Sequence, residues 1–114
     1  MIVYYNAAEN PIKLWLRDPT LSANGGLVDF TVGSWTFVMK LGVPGSAALL
    51  TKSSGIVGAA GAGVEPTGTP NLVATPTADE FIALSGVMVY QVRATSASAD
   101  EFFQGQIQML PVIT

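Results

Sequence analysis

The chain of 114 residues contains no cysteine and no histidine, and only 11% of its residues are charged. Without cysteine there is no disulfide framework, thiolate nucleophile or zinc–thiolate site. Without histidine the chain lacks the commonest general base and the commonest transition-metal ligand. We therefore expect no enzyme activity, no metal site and no cofactor.

Basic side chains are also scarce, and they are scattered along the sequence. The five are Lys13, Arg17, Lys40, Lys52 and Arg93, and the formal net charge is −3. Binding to nucleic-acid phosphates requires clustered cations, so nucleic acid is not an expected partner. Charged residues usually make up roughly 25% of a globular chain. Here either Thr, Ser, Gln and Gly form the surface, or a partner covers part of it.

Long apolar segments are missing as well. The first residues, MIVYYNAAENPIKLW, lack the basic start and the long apolar core of a signal peptide. No apolar run approaches the roughly 20 residues that a membrane-spanning helix needs. We expect no membrane association and synthesis in a bacterial cytoplasm, and the length predicts a single domain over residues 1–114.

What the sequence has is alternation of apolar and polar residues with a period of two, which is typical of half-buried strands. In the segment 35–41, Trp35, Phe37, Met39 and Leu41 share one face. Turn-forming Asn, Pro and Gly separate such segments. The predicted strands cover residues 12–17, 27–31, 35–41, 47–51, 71–75, 87–95 and 102–110.

One short helical turn is predicted over residues 77–84. Thr77 and Glu80 have the spacing of a capping box, and Asp79 suits the start of a helix. About seven short strands and one helical turn predict an all-β fold, an immunoglobulin-like antiparallel β-sandwich. A small closed barrel is the alternative.

The stretch GIVGAAGAGVEPTGTPN, residues 55–71, combines small side chains with a single charge, Glu65. Gly58, Gly61 and Gly63 give the spacing GxxGxG, but neither a lysine nor a helical pattern follows, which argues against a phosphate loop. We predict a long flexible loop at about 53–71 that orders against a neighbouring subunit, where these glycines permit close backbone approach. Deletion of residues 58–63 is then expected to leave thermal unfolding nearly unchanged and to impair assembly.

Three segments carry a resemblance to a known family: GSWTFVMKLGVPGSAALLTKSSGI, GTPNLVATPTADEFIAL and SGVMVYQVRATSASADEFFQGQIQMLPVIT. The last resembles the G-x-Y-x-Y-x-v … G-x-i-x-v-x-P ending of small immunoglobulin-like domains in tailed-phage proteins. From about residue 12 to its end, the chain resembles the baseplate upper protein immunoglobulin-like family of tailed phages and prophages. It departs from that pattern at Gly86 to Tyr90, where the glycine-to-tyrosine spacing is longer.

The resemblance implies a structural protein of the virion, located at the tail or baseplate. Such a protein forms a homo-oligomer and docks other tail proteins. The resemblance brings no catalytic residues with it. The alternative function is a carbohydrate- or cell-surface-binding adhesion module.

Aromatic residues are candidates for an interaction surface. Trp15 shares a face with Lys13 and Arg17 by parity, so either another part of the chain covers it or it marks an exposed contact surface. Tyr4 and Tyr5 lie either on a strand of the chain's own sheet or on a strand added to a neighbour's sheet edge. In the adhesion alternative, one of these three residues stacks on a sugar ring.

Two pairs of adjacent carboxylates remain, Asp79-Glu80 and Asp100-Glu101. We interpret the first as the start of the helical turn and the second as part of a solvated hairpin turn. A glycosidase pair or a calcium site is the less favoured interpretation.

Overall fold

A computed structural model describes residues 2–5, 11–65, 67–77, 79–80 and 84–110, with the backbone alone for residues 2–5 and 110. The described strands are β1 Ile2–Tyr5, β2 Ile12–Leu14, β3 Thr36–Gly42, β4 Leu50–Lys52, β5 Ile56–Gly58, β6 Leu72–Ala74, β7 Gly86–Thr95 and β8 Asp100–Leu110. A 3-10 turn covers Ala23–Gly26. No helix within these ranges is both long and apolar enough to cross a bilayer.

The strands form two sheets. One has five strands in the order β1-β8-β7-β3-β4, and the other has three in the order β2-β6-β5. Neighbouring strands are antiparallel, except that β1 runs parallel to β8 with Ile2 opposite Ile107. The two sheets pack as a sandwich, which confirms the predicted all-β architecture.

Alternation along the strands fills the space between the sheets. The core comprises Ile12, Leu14, Leu16, Val28, Phe30, Met39, Leu41, Leu50, Leu72, Ala74, Leu84, Met88, Val92, Ala94, Ile107 and Met109. Phe30 makes edge-to-face contacts with Trp35, Phe37 and Phe103 at ring-centroid distances of 5.2, 5.1 and 6.3 Å. These contacts confirm the predicted inward face of the segment 35–41.

The predicted capping box is present. The Thr77 N–H donates to Glu80 Oε1 at 2.8 Å, and the Glu80 N–H donates to Thr77 Oγ1 at 3.3 Å. Residues 79 and 80 are helical, whereas residues 78 and 81–83 of the predicted turn lie outside the described part of the chain. Lys52 Nζ lies 3.1 Å from Glu80 Oε1, so the box is also tied to β4.

Several segments differ from the predictions. Strand β2 ends at Leu14 rather than at residue 17, and β4 covers Leu50–Lys52 rather than residues 47–51. Residues 27–31 form only an isolated bridge, between Leu27 and Arg17, because the Phe30 N–H bonds instead to the carbonyl of Ala59. Residues 53–71 are not an uninterrupted loop, since they contain β5 and a bridge between residues 62 and 69. Asp100 and Glu101 begin β8 rather than lying in the turn, because Asp100 pairs with Thr95.

Candidate interaction surfaces

Trp15 is buried, with 6% of its surface exposed. It lies one residue past β2, so strand alternation no longer decides which way its side chain points. Its indole Nε1 has no hydrogen-bond acceptor among the described residues. The interpretation of Trp15 as an exposed contact residue is therefore wrong.

The strand that carries Tyr4 and Tyr5 belongs to the chain's own sheet. Their backbones lie opposite Met109 and Leu110 of β8. This pairing agrees with the own-sheet alternative, in which β1 forms one edge of the five-stranded sheet. The two tyrosine side chains lie outside the described atoms, so their part in an interaction surface stays a prediction.

Gly58 lies in β5 and permits a close approach within the chain. A Cβ atom at this position would sit 2.7 Å from Phe30 Cβ and 3.0 Å from Phe37 Cζ. Real Cβ atoms essentially never come within 3.0 Å of such neighbours. The absence of a side chain at residue 58 therefore lets β5 pack directly on the aromatic cluster.

Gly61 and Gly63 serve the same segment. Gly61 has φ +72°, and its added Cβ would lie 2.8 Å from Asn71 Cβ. Asn24 Nδ2 donates to the Gly61 carbonyl at 3.0 Å, and Arg17 Nη2 donates to the Gly63 carbonyl at 2.8 Å. These glycines pack and bond within their own chain, and contact with a neighbouring subunit stays a prediction.

Asn71 has a structural role that the sequence pattern did not reveal. It is fully buried, and its amide accepts from the Leu16 N–H at 2.7 Å. The same amide donates to the carbonyls of Leu16 at 2.8 Å and Val28 at 3.0 Å. This buried amide joins three separate segments of the chain, and its oxygen and nitrogen both have hydrogen-bond partners. Its only sequence signal is a polar residue at the start of a predicted strand.

Three valines in and around the small sheet are largely exposed, and we call them together the edge surface. They are Val32, Val57 and Val64, which are 69%, 65% and 60% exposed. Val57 belongs to β5, the edge strand of the three-stranded sheet. The hydrogen bond from Phe30 to Ala59 joins the chain near Val32 to the chain next to β5. An edge strand with exposed apolar neighbours is a favourable place for contact with another chain.

A second surface lies on the outer face of the five-stranded sheet, and we call it the outer groove. The register places Val38, Arg93 and Phe102 side by side across β3, β7 and β8. The next cross-strand row contains Lys40, Gln91 and Gln104. Two depressions, of about 320 and about 420 Å³, share Lys40 and Gln91 and therefore adjoin each other, and together they make up the outer groove. Residues 41–46, 48 and 89 complete the lining of the larger one.

The two basic side chains of the groove differ in whether an acidic group pairs with them. Arg93 donates from Nε and Nη2 to the two oxygens of Asp100 at 3.0 and 2.6 Å. This pair raises the pKa of Arg93 and lowers the pKa of Asp100, chiefly through the hydrogen bonds. By contrast, Lys40 makes no hydrogen bond or ion pair with any residue that the structure describes.

Two carboxyl groups lie near each other where β8 begins. Glu101 faces inward from β8, and its Oε2 is buried without a hydrogen-bond partner among the described residues. Burial is the main cause that raises the pKa of Glu101, and the nearby Asp18 carboxyl raises it further. Two hydrogen bonds from Thr20 are the main cause that lowers the pKa of Asp18. The surroundings of Glu101 therefore favour its protonated form more than water does.

Over its described ranges, the chain shows no group of three or more acidic side chains arranged to hold a metal ion. Comparisons with protein-family models, with curated proteins and with solved structures find no match to this chain. The arrangement of surfaces on the sandwich is therefore the basis for any proposal about function.

Proposed function

We propose that the chain is a non-enzymatic structural module of a phage tail or baseplate, which binds copies of itself and other virion proteins. The observation that carries the proposal is the edge surface, because β5 is an edge strand of its sheet and Val57, Val32 and Val64 are largely exposed. Unpaired backbone groups of an edge strand bind another strand, and exposed apolar side chains next to them add buried area.

The composition of this region supports the same proposal. Residues 55–71 carry a single charge, Glu65. Interface cores are depleted in charged residues, because burying a charge is costly unless it is paired. The resemblance of segments 33–56, 68–84 and 85–114 to a tail-protein family supplies the biological setting of the proposal.

Self-association is tested by sedimentation velocity over a range of protein concentrations. We expect Val57→Asp to weaken association at least about tenfold, since the variant places a charge in the interface. Val87→Asp is the matched control, because Val87 is 47% exposed on the other sheet. A wild-type chain that stays monomeric at every concentration would refute self-association.

The virion setting needs a separate test. Particles released from the source bacterium are labelled with gold-conjugated antibody against the chain and viewed by electron microscopy. We expect gold on the tails of the particles. Gold confined to the cell envelope would overturn the phage proposal and favour an adhesion module.

A second candidate function is saccharide binding. One of its three candidates, Trp15, is buried and cannot stack on a sugar, whereas the side chains of Tyr4 and Tyr5 lie outside the described atoms. The outer groove offers a different aromatic residue, Phe102, which is 60% exposed beside polar side chains. This observation keeps saccharide binding as the second candidate.

A further inference from the structure

We infer that the outer groove is a binding site for an oligosaccharide that carries an acidic group. The inference rests on the second candidate function and gives it a place and a ligand class. Small-ligand sites are concave, with roughly 300–1,000 Å³ of volume and a few polar groups that converge on the ligand. The two depressions, of about 320 and about 420 Å³, fall in this range and adjoin each other at Lys40 and Gln91.

Phe102 supplies the apolar part of the site. Its ring is 60% exposed, although the neighbouring Phe103 packs on the core. Val38, two strands away in the same row, is 38% exposed and extends the apolar floor. One face of a pyranose ring presents C–H groups, which pack favourably on the electron-rich face of an aromatic ring.

Two side-chain amides supply the hydrogen bonds. Gln91 Nε2 donates to Gln104 Oε1 at 3.2 Å, which fixes the two amides relative to each other. This bond leaves the Gln91 carbonyl oxygen and the Gln104 amino group for a ligand. One acceptor and two donors at neighbouring positions match the adjacent hydroxyl groups of a sugar.

Lys40 determines the charge of the ligand. Among the other basic side chains, Arg93 pairs with Asp100, Lys52 pairs with Glu80, and Arg17 binds backbone carbonyls. Lys13 also has an interaction within the chain. Lys40 has no partner among the described residues and lies where the two depressions meet. A carboxylate or sulfate on the sugar would pair with it.

Other ligand classes fit the groove less well. The groove crosses strands β3, β7 and β8, and β7 and β3 are paired on both sides. It therefore offers an extended peptide no free strand edge in β3 or β7 to pair with. With Arg93 neutralised by Asp100, Lys40 is the single unpaired cation of the groove lining, too few for a nucleic-acid backbone.

The test is an NMR titration of the ¹⁵N-labelled chain with matched acidic and neutral sugars. The pairs are sialyllactose with lactose and tetragalacturonate with its carboxyl-reduced counterpart, and a heparin tetrasaccharide represents sulfated sugars. We expect at least one acidic sugar to shift the side-chain amides of Gln91 and Gln104 more than any neutral sugar does. Lys40→Ala should weaken that binding about fivefold and Phe102→Ala about tenfold.

Controls separate binding from folding and from assembly. Lys13→Ala and Val57→Ala remove exposed side chains from the other sheet and should leave sugar affinity unchanged. Thermal unfolding checks that each variant folds. The inference is overturned by any of three outcomes. These are that no sugar shifts the amide signals of the groove, that acidic and neutral sugars bind equally, or that only a control peptide binds there. Sedimentation of the same samples reports on self-association, so failure of sugar binding does not count against the assembly proposal.

Discussion

The two sheets of the sandwich are held together in different ways. In the five-stranded sheet, β7 and β8 stay paired from Gly86–Met109 to Thr95–Asp100, over ten consecutive residue pairs. In the three-stranded sheet each strand has only three residues. There the buried Asn71 amide and the close approach at Gly58 supply much of the order.

This difference has a consequence for substitution. Backbone pairing tolerates almost any outward-facing side chain, because every residue except proline has the same hydrogen-bonding groups. A side-chain clamp depends on one residue, and its loss leaves buried polar groups unpaired. The outer groove therefore lies on a sheet face whose side chains can vary without loss of the fold. The small sheet, which carries Val57 of the edge surface, depends on Asn71 and Gly58.

The largest expected effect is at Trp15, next to β2. Trp15→Ala should lower the free energy of unfolding by about 3–5 kcal/mol, because a large buried side chain is lost. Phe102→Ala, on the other sheet, should change it by less than about 1 kcal/mol because Phe102 is exposed. Urea denaturation measures the free energy of unfolding of both variants. Equal losses would contradict the expectation that the buried Trp15 contributes more to stability than the exposed Phe102.

Asn71→Ala is expected to cost about 3 kcal/mol, since it leaves the Leu16 N–H and the Val28 carbonyl without a partner, whereas the Leu16 carbonyl still accepts from the Val28 N–H. The matched amide in the other sheet is Gln104, whose bond to Gln91 is exposed. Gln104→Ala should cost no more than about 0.5 kcal/mol. Comparable losses in urea denaturation would contradict the proposed difference between the sheets.

Gly58→Ala should destabilise the fold by about 1–3 kcal/mol, because the new methyl group meets Phe30 Cβ and the backbone must shift. At Gly105 an added Cβ would lie 2.5 Å from Tyr90 Cε2, and the Tyr90 ring packs against the core. Gly105→Ala is therefore expected to cost a similar amount, as measured by differential scanning calorimetry. For the same reason, deletion of residues 58–63 should lower the thermal transition, in contrast to the expectation from sequence.

The smallest effect concerns the buried carboxyl of Glu101 in β8. Its pKa lies above the ordinary value of 4.5, mainly because of burial. Its contribution to stability is therefore fully present below the unfolded pKa and is lost as pH rises through the folded pKa. Glu101→Gln stays neutral, so its stability relative to the wild type should increase from pH 4 to pH 8.

Chemical denaturation at a series of pH values measures this change. Asp29→Asn is the control with the opposite sign, because hydrogen bonds from Thr31 lower the pKa of Asp29. The contribution of Asp29 is present above its unfolded pKa and is lost as pH falls. Parallel pH profiles for the wild type and Glu101→Gln would show that Glu101 titrates normally.

The difference between the two sheets also explains which strands could be predicted from the sequence. Alternation placed the three central strands of the large sheet within two residues of their observed bounds, since their inward faces are apolar except at Glu101. The parity that puts Phe103 inside also puts Phe102 outside. The sequence could not show which exposed side chains meet across strands, because register determines that.

The small sheet was harder to predict for a physical reason. Strand β5 contains Gly58 and lies in a run of small residues, so propensity and alternation both favour a loop. Its position depends on the contact with Phe30 and on the hydrogen bond from Ala59 to Asn71, which join residues far apart in sequence. The carboxyl pair of Asp18 and Glu101 depends equally on tertiary structure.

The parallel pairing of β1 with β8 sets an order for folding. Strand β1 leaves the ribosome before every other described strand, yet its partner is the last of them. Pairs this distant in sequence close slowly, because the loop-closure entropy is lost before any contact forms. The hairpin of β7 and β8 can form locally, and β1 then docks on its outer edge. Until that final step, the backbone edge of β8 is open to any other strand, including β1 of a second nascent copy.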